Sequence, residues 1–482
     1  LVAWVARRHR ECVGDPVKGE LLIGGEWRDT VDRLPVVDPA TEERIGTIAK
    51  ATSADVDDAL AAVAGGAARW RATDPWRRSA VLRDTARLLA ERRADIERVL
   101  SLEQGKPAAE AHGEVTAAIE VIDWCADEAR RIYGRTIESR SDRVRLLVTR
   151  SAVGPVAAFT ASNFPALLPA RKLGAALAAG CGVVLKPAED TPFTALAMAR
   201  AFLDAGLPPG VLNVVTGEPG PIADQLVASP VIRKISLTGS VPVGRLLLAR
   251  AADRVVPSSM ELGGHAAGIV FPDVDVESTV DAIVAGKWRN CGQVCIALSR
   301  LYVHRDVYDQ VVDLMVRKVK DTTVGPLVNE RSRERVEAML ADAVSRGATV
   351  RAGGARRPGR GYFFEPTIIT DVPADARIWT DEPFGPVLPV EPFDDVDTAV
   401  ARANGTEFGL SAFLFTRDLD TALTVSDQLD AGMVGVNNLV IATAEAPAGG
   451  VKVSGFGREG GAEALADYTV TKYVNIRLQE SA

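Results

Sequence analysis

The sequence reads as an α/β protein of more than one domain, built on a parallel sheet covered by helices. From residue 153 onward short apolar runs alternate with helical patterns, the rhythm of repeated βα units. These runs are continuously apolar, as expected for strands buried on both faces. At 482 residues the chain is too long for one core and fits two or three domains.

Ahead of that rhythm, amphipathic patterns over 53–63 and 77–104 predict helices. Then come an apolar run at 155–159, an Ala-rich helical stretch at 166–179 and a strand at 182–186. A helix at 194–204, a strand at 211–215, a helix at 222–227 and a strand at 234–237 continue the series. After Glu261 a second α/β region begins, with strands at 266–271 and 413–415 and a helix within 311–321. The Gly- and Arg-rich stretch 351–361 reads as an exposed loop. Segments 143–150 and 468–477 have strand character but stand outside the βα rhythm.

Composition removes several classes of function. The formal charge of −8, from 56 Lys and Arg against 64 Asp and Glu, argues against a nucleic-acid partner. The cysteines, Cys12, Cys125, Cys181, Cys291 and Cys295, are too sparse for a disulfide framework or a zinc cluster, and they suggest a reducing compartment. The 4 scattered histidines offer no metal site, so no metal is expected. The first ten residues carry their charges after the apolar run, the reverse of a signal peptide, and no stretch approaches the ~20 apolar residues of a membrane span. The expectation is a cytoplasmic protein with no membrane partner.

The stretch from Glu261-Leu262-Gly263-Gly264 to Asn290-Cys291-Gly292-Gln293-Val294-Cys295 carries the chemistry. Cys295 follows a glycine segment whose backbone can approach a substrate closely. Glu261 is an acid able to serve as base, and Asn163 is a polar amide able to hold an oxyanion. Together they supply the parts needed for covalent attack on a carbonyl. Taken singly, each has a plainer reading. A cysteine in a long α/β protein is more often a small buried hydrophobe, which is how Cys12, Cys125 and Cys181 are read. Glu261 alone is a surface acid, Asn163 a turn residue, and Cys291 a possible metal or disulfide partner of Cys295.

A Gly-x-Gly-x-x-Gly pattern at Gly455, Gly457 and Gly460 is a decoy, because the chain ends before a βαβ unit can follow. Its glycines are expected to form a turn against the active-site surface. The better dinucleotide candidate is the turn after 234–237, at Gly239 and Ser240, where an expected strand feeds an expected helix. A helix N-terminus presents free N–H groups that suit a pyrophosphate. Lys186 and Glu189 follow another strand at the edge where ligands of such folds bind.

These motifs, in this order and spacing, resemble the aldehyde dehydrogenase superfamily, over nearly the whole chain from Leu22 to Glu459. The segments from Arg171 to Gly174 and from Lys186 to Pro192 look most like succinate-semialdehyde dehydrogenases. The resemblance implies an aldehyde dehydrogenase-like fold. A Rossmann-type cofactor domain would span 1–133 and 151–262, and a second α/β catalytic domain 263–467. A small oligomerisation arm would span 134–150 and 468–482, in a homodimer or homotetramer. It implies NAD(P)-dependent oxidation of an aldehyde to an acid, with Cys295 as nucleophile, Glu261 as base, Asn163 as oxyanion donor and Lys172 near the proton path.

Among the cofactor contacts it implies are Phe159, Thr160, Ser162, Lys186, Glu189, Gly239, Ser240, Leu262, Glu382 and Phe384. A carboxylate at Glu189 accepts from ribose hydroxyls but repels a 2′-phosphate, so NAD is expected over NADP. Arg171 and Arg289, with Thr443, would bind the distal carboxylate of a semialdehyde, since Arg–carboxylate pairing is directional.

Several positions depart from the family pattern. Ser162 replaces an aromatic, and Ala448 stands where relatives usually carry Phe. Ala442 replaces a hydroxyl that Thr443 would have to supply. Ala297 removes a second cysteine two residues after the nucleophile. These changes open the choice of aldehyde while leaving the reaction type. Rival readings are a CoA-acylating enzyme, which usually lacks the Glu261 base, a cysteine-dependent ester or thioester hydrolase, and a non-catalytic binding protein.

Overall fold

The computed structural model describes residues 17–479. The expectations for Cys12 and the first ten residues lie outside the described residues. Helix starts follow local chemistry. Thr52 and Asp55 form a capping box for the helix Ser53–Ala72, while Asp74 caps Pro75–Glu91 with Pro at its first position. The helices Pro75–Glu91, Arg93–Gln104 and Ala108–Glu128 form a layer beside the first sheet, whereas Ser53–Ala72 packs mainly in a separate core with Leu21, Ile23 and Val184. The apolar faces of the layer join that sheet in one core.

That sheet runs, from edge to edge, through Gly455–Phe456, Ser258–Glu261, Lys234–Thr238, Val156–Phe159, Val183–Lys186, Leu212–Val214, Leu21–Ile23 and Glu26–Arg28. The strands from Ser258–Glu261 to Leu212–Val214 are parallel, and the outer ones antiparallel. Every expected strand of the βα rhythm is present, and Val156–Phe159 and Val183–Lys186 are buried throughout. In chain order the first parallel strand, Val156–Phe159, lies beside the fourth, Lys234–Thr238. Strand order reverses there, and ligands of open α/β sheets bind outside the carboxyl ends at such a point.

A second sheet is ordered Thr349–Ala352, Thr367–Thr370, Val387–Phe393, Leu298–His304, Ala266–Val270, Ser411–Phe415 and Met433–Val436. Only its first pair is antiparallel. Two sequence readings need adjustment. The start of the expected loop at 351 still belongs to the edge strand Thr349–Ala352. The pair Gly455–Phe456, assigned by sequence to the second region, instead adds an antiparallel edge to the first sheet beside Ser258–Glu261. There the Gly455 turn lies against the strand that carries Glu261.

Val144–Ala152 and Thr469–Arg477 are strands, paired antiparallel over their full length and flanked by Arg135–Ile137. This ribbon exposes Ile137, Val470, Tyr473 and Ile476. Among the described residues, no helix is long and apolar enough to cross a membrane.

Candidate active site

The helix Val276–Lys287 ends at Trp288, and the chain then turns through Asn290, Cys291 and Gly292 at φ of 50°, 55° and 71°. Left-handed backbone is uncommon for non-glycine residues and costs of order 1–3 kcal/mol each. Nearby donors and acceptors hold it. The Asn290 N–H donates to Glu110 at 2.6 Å, and the Gln293 side chain donates to the Asn290 carbonyl at 3.1 Å. A side chain on Gly292 would overlap the Gly385 carbonyl. The turn delivers Cys295 half-buried, whereas Cys125, Cys181 and Cys291 are buried. Among the described residues the Cys295 backbone N–H makes no hydrogen bond, so it is free to serve as a donor.

The segment from Glu261 to Gly264 leaves the end of its strand and crosses beside this turn. A Cβ on Gly264 would collide with the Cys295 carbonyl, and one on Gly263 would lie 2.5 Å from a Glu382 carboxylate oxygen. Glycine at both positions is therefore what lets these three groups meet. Asn163, 5% exposed, donates from Nδ2 to the Gln293 carbonyl at 3.0 Å, which ties it to the same turn.

Electrostatics separate the candidates. Burial pushes the Cys295 thiol up to about 12, with Glu382 and Glu261 adding to it and Arg171 opposing. Burial, then Glu459, also raises the Glu261 carboxyl well above the usual range, against the pull of Lys172, Arg171 and Arg458. The Glu261 Oε1 atom is buried with no hydrogen-bond partner. Lys172, which the resemblance puts near the proton path, donates to Glu459 at 2.9 Å and to Ser236 at 3.1 Å. Glu459 and Ser236 are groups the sequence reading passed over.

Arg171 lies on the helix Leu167–Ala179 and is 7% exposed. Among the described residues it makes no hydrogen bond or ion pair, although its charge reaches both Cys295 and Glu261. The Arg289 guanidinium sits 5.6 Å from the centre of the Phe164 ring. It lines a cavity of about 190 Å³ with Val294, Ile296 and Val440. Thr443 is exposed, and Ala448 is buried, paired through its backbone with Glu459.

The remaining candidates cluster at the strand ends. Phe159 and Thr160 end the first parallel strand, and Gly239 and Ser240 end its neighbour at the point of reversal. Ser240 caps the helix Val241–Ala252 without a side-chain hydrogen bond, so that helix presents free N–H groups. Leu262 packs where a Cβ on Gly244 would stand, bringing the helix close to the sheet. Lys186 donates to Glu189 at 2.5 Å, and Thr191 donates to the Ser162 carbonyl at 3.3 Å. Glu382 accepts from the Gly264 N–H at 3.0 Å, and desolvation raises it to about 7. Phe384 has a φ of 44°, with the Arg335 guanidinium 5.8 Å from its ring centre. Free helix N–H groups, a carboxylate for ribose hydroxyls and a second carboxylate near the thiol fit a dinucleotide laid across these strand ends.

The model of the aldehyde dehydrogenase family matches residues 27–474. The NADP(+) succinate-semialdehyde dehydrogenase GabD of Escherichia coli (strain K12) is 42% identical over 471 residues, covering 95% of this chain and 98% of that protein. The glutarate-semialdehyde dehydrogenase of Pseudomonas aeruginosa is 42% identical over 467 residues, covering 94% of this chain and 97% of its own. The crystal structure of succinate-semialdehyde dehydrogenase from Burkholderia pseudomallei superposes with a TM-score of 0.94 at 42% identity, covering 95% of this chain and 98% of that one.

Proposed function

The chain belongs to the aldehyde dehydrogenase family, and on that premise we propose that it oxidises a short anionic semialdehyde, such as succinate semialdehyde, to the acid. It is an NAD(P)-dependent aldehyde oxidoreductase. The observation that carries the substrate class is Arg171, a buried cation without a protein partner beside the thiol and the carboxylate. A buried charge is costly unless paired, and a substrate carboxylate would pair it. Arg289 is the second anion-binding group in this reading, and Thr443 would contribute only if its exposed loop folds inward over substrate.

The residues act in sequence. Cys295 is the nucleophile: its thiol gives its proton to solvent, the thiolate sulfur bonds to the aldehyde carbon, and the carbonyl π electrons move to oxygen to give the thiohemiacetal oxyanion. The oxyanion accepts from the Asn163 Nδ2 amide and the free Cys295 N–H. A bound nicotinamide dinucleotide supplies the hydride acceptor. The thioester left on Cys295 is then hydrolysed by water that gives its proton to Glu261. Burial raises the proton affinity of that carboxylate, the Glu459 charge adds to it, and Lys172, paired with Glu459, opposes it. Glu261, a base for water, favours hydrolysis over transfer to CoA.

Cofactor contacts are assigned to Phe159, Thr160, Ser162, Gly239, Ser240 and Leu262 around the reversal point. Lys186 and Glu189 take the adenosine ribose, and Glu382 and Phe384 the nicotinamide side. Glu189, held by Lys186, would face a 2′-phosphate with like charge, so NAD is the preferred cofactor. The domain division in this reading is a cofactor domain over 1–133 and 151–262, whose sheet takes the edge strand Gly455–Phe456, a catalytic domain over the rest of 263–467 and an arm over 134–150 and 468–482. The apolar residues exposed on the arm support assembly into a homodimer or homotetramer. The free thiols support a reducing, cytoplasmic setting.

The test is a panel of aldehydes assayed with NAD and with NADP by NADH or NADPH absorbance. The proposal requires the highest kcat/KM for short semialdehydes. A neutral aldehyde of equal length used as efficiently would overturn the substrate class.

A further inference from the structure

Lys106, Glu110 and Glu114 are spaced four residues apart, Lys106 just before the N-cap Pro107 of the helix Ala108–Glu128 and the two glutamates within its start, and all three side chains reach the active-site loops. Four-residue spacing places the two glutamates on one helix face. Lys106 and Glu114 form an ion pair whose side chains are 1% and 0% exposed. Lys106 Nζ also donates to the Asn163 carbonyl at 2.9 Å. Glu114 accepts from the N–H groups of Ala166 at 2.7 Å and Leu167 at 3.2 Å, at the start of the helix bearing Arg171 and Lys172. Glu110 accepts the Asn290 N–H at 2.6 Å, within the left-handed run that leads to Cys295. Asn290 Nδ2 closes the circuit by donating to the same Asn163 carbonyl at 2.9 Å.

A fully buried ion pair is a poor device for stability alone, because desolvation offsets its attraction. Here both partners spend their remaining hydrogen-bonding capacity on the loop around Asn163, and Glu110 spends its own on the loop before Cys295. We infer that Lys106, Glu110 and Glu114 are positioning residues that set the separation of the Asn163 amide from the Cys295 thiol. The inference rests on the proposed role of Asn163 as oxyanion donor. None of the three is assigned a contact with substrate or cofactor. They act through the Asn163 carbonyl, the Asn290 amide and the helix N-terminus, holding two loops from different sheets to one rigid helix.

The test is a double-mutant cycle read as the first-turnover rate of NADH formation at saturating aldehyde and NAD, with NAD affinity and melting temperature measured alongside. A misplacement of ~1 Å can cost about 10²-fold in rate. Lys106→Met is expected to slow the first turnover by roughly 10- to 100-fold in the otherwise wild-type enzyme. In an Asn163→Ala background, where no oxyanion amide remains to be placed, it should cost no more than about 2-fold. Glu110→Ala should behave in the same way, and Glu110→Gln, which keeps an acceptor for the Asn290 N–H, should recover most of the loss.

Equal losses in both backgrounds would reduce the stripe to a general structural support and overturn the inference while leaving the role of Asn163 intact. An Asn163→Ala enzyme with an unchanged first turnover would overturn both. If Lys106→Met does not fold, the cycle with the Glu110 variants decides the question alone.

Discussion

Replacing Arg171 by Met removes the cation while keeping a long side chain. The consequence follows from its surroundings: the residue is 7% exposed and, among the described residues, has no hydrogen bond or ion pair. No carboxylate of the protein forms an ion pair with it, so a substrate carboxylate would gain most of the interaction, less its longer-range attraction to Glu261. A hydrogen bond to a charged group is worth about 1.5–3 kcal/mol, and 1.4 kcal/mol is about a factor of ten. The expected loss in kcat/KM for succinate semialdehyde is therefore roughly 10- to 100-fold. Arg171 also favours the ionised forms of Cys295 and Glu261, so its removal moves both groups to higher pKa. That second effect touches every aldehyde equally. The proper measure is thus the ratio of kcat/KM for succinate semialdehyde to that for butanal, taken on the pH plateau of each variant. The ratio should fall by at least about ten-fold, and a smaller fall is expected for Arg289→Met, whose side chain is less buried. Melting temperature should hold or rise, because an unpartnered buried cation does not stabilise the free fold. An unchanged ratio in both variants would refute the anion pocket and leave only the general aldehyde-oxidising assignment.

The other predictions are narrower. Cys295→Ala should abolish NADH formation while Cys291→Ala, buried behind the turn, keeps most of it; equal losses would contradict the choice of nucleophile. Glu261→Gln should lower steady-state turnover by about 10²–10⁴-fold while retaining a first-turnover burst of NADH, which stopped-flow absorbance would detect. The raised Glu261 carboxyl is protonated below its pKa and becomes a base only above it, so turnover limited by hydrolysis should climb with pH above the ordinary carboxylate range. Glu459→Gln removes the neighbouring negative charge and should move that limb to lower pH, and a profile that stays put would separate the two groups. Glu189→Ser should weaken the preference for NAD, measured as the ratio of kcat/KM with NAD to that with NADP; a wild type that already favours NADP would show that Glu189 points away from the 2′ position.

What sequence made legible was whatever local physics dictates. Continuous apolar runs between helical patterns located the strands from Val156–Phe159 to Lys234–Thr238, because burial on both faces leaves that signature. The glycine before Cys295 marked a backbone able to approach a substrate; the structure packs Gly292 against Gly385, and it adds close approaches of Gly263 to Glu382 and Gly264 to Cys295 that the sequence did not single out. The groups that escaped notice depend on long-range pairing. Glu459 meets Lys172 from 287 residues away, and Lys106 meets Asn163 across 57. Nothing near Glu459 in sequence distinguishes it from a surface acid. Glu110 and Glu114 did leave a trace, since their spacing places two carboxylates on one face of a helix, but an exposed charged face carries the same spacing. Burial of that face is what separates the two readings, and burial follows from which helix the sheet accepts as its neighbour. The charged stripe is therefore informative only once the Ala108–Glu128 helix is seen to pack its charged start against the two loops that hold Asn163 and Cys295.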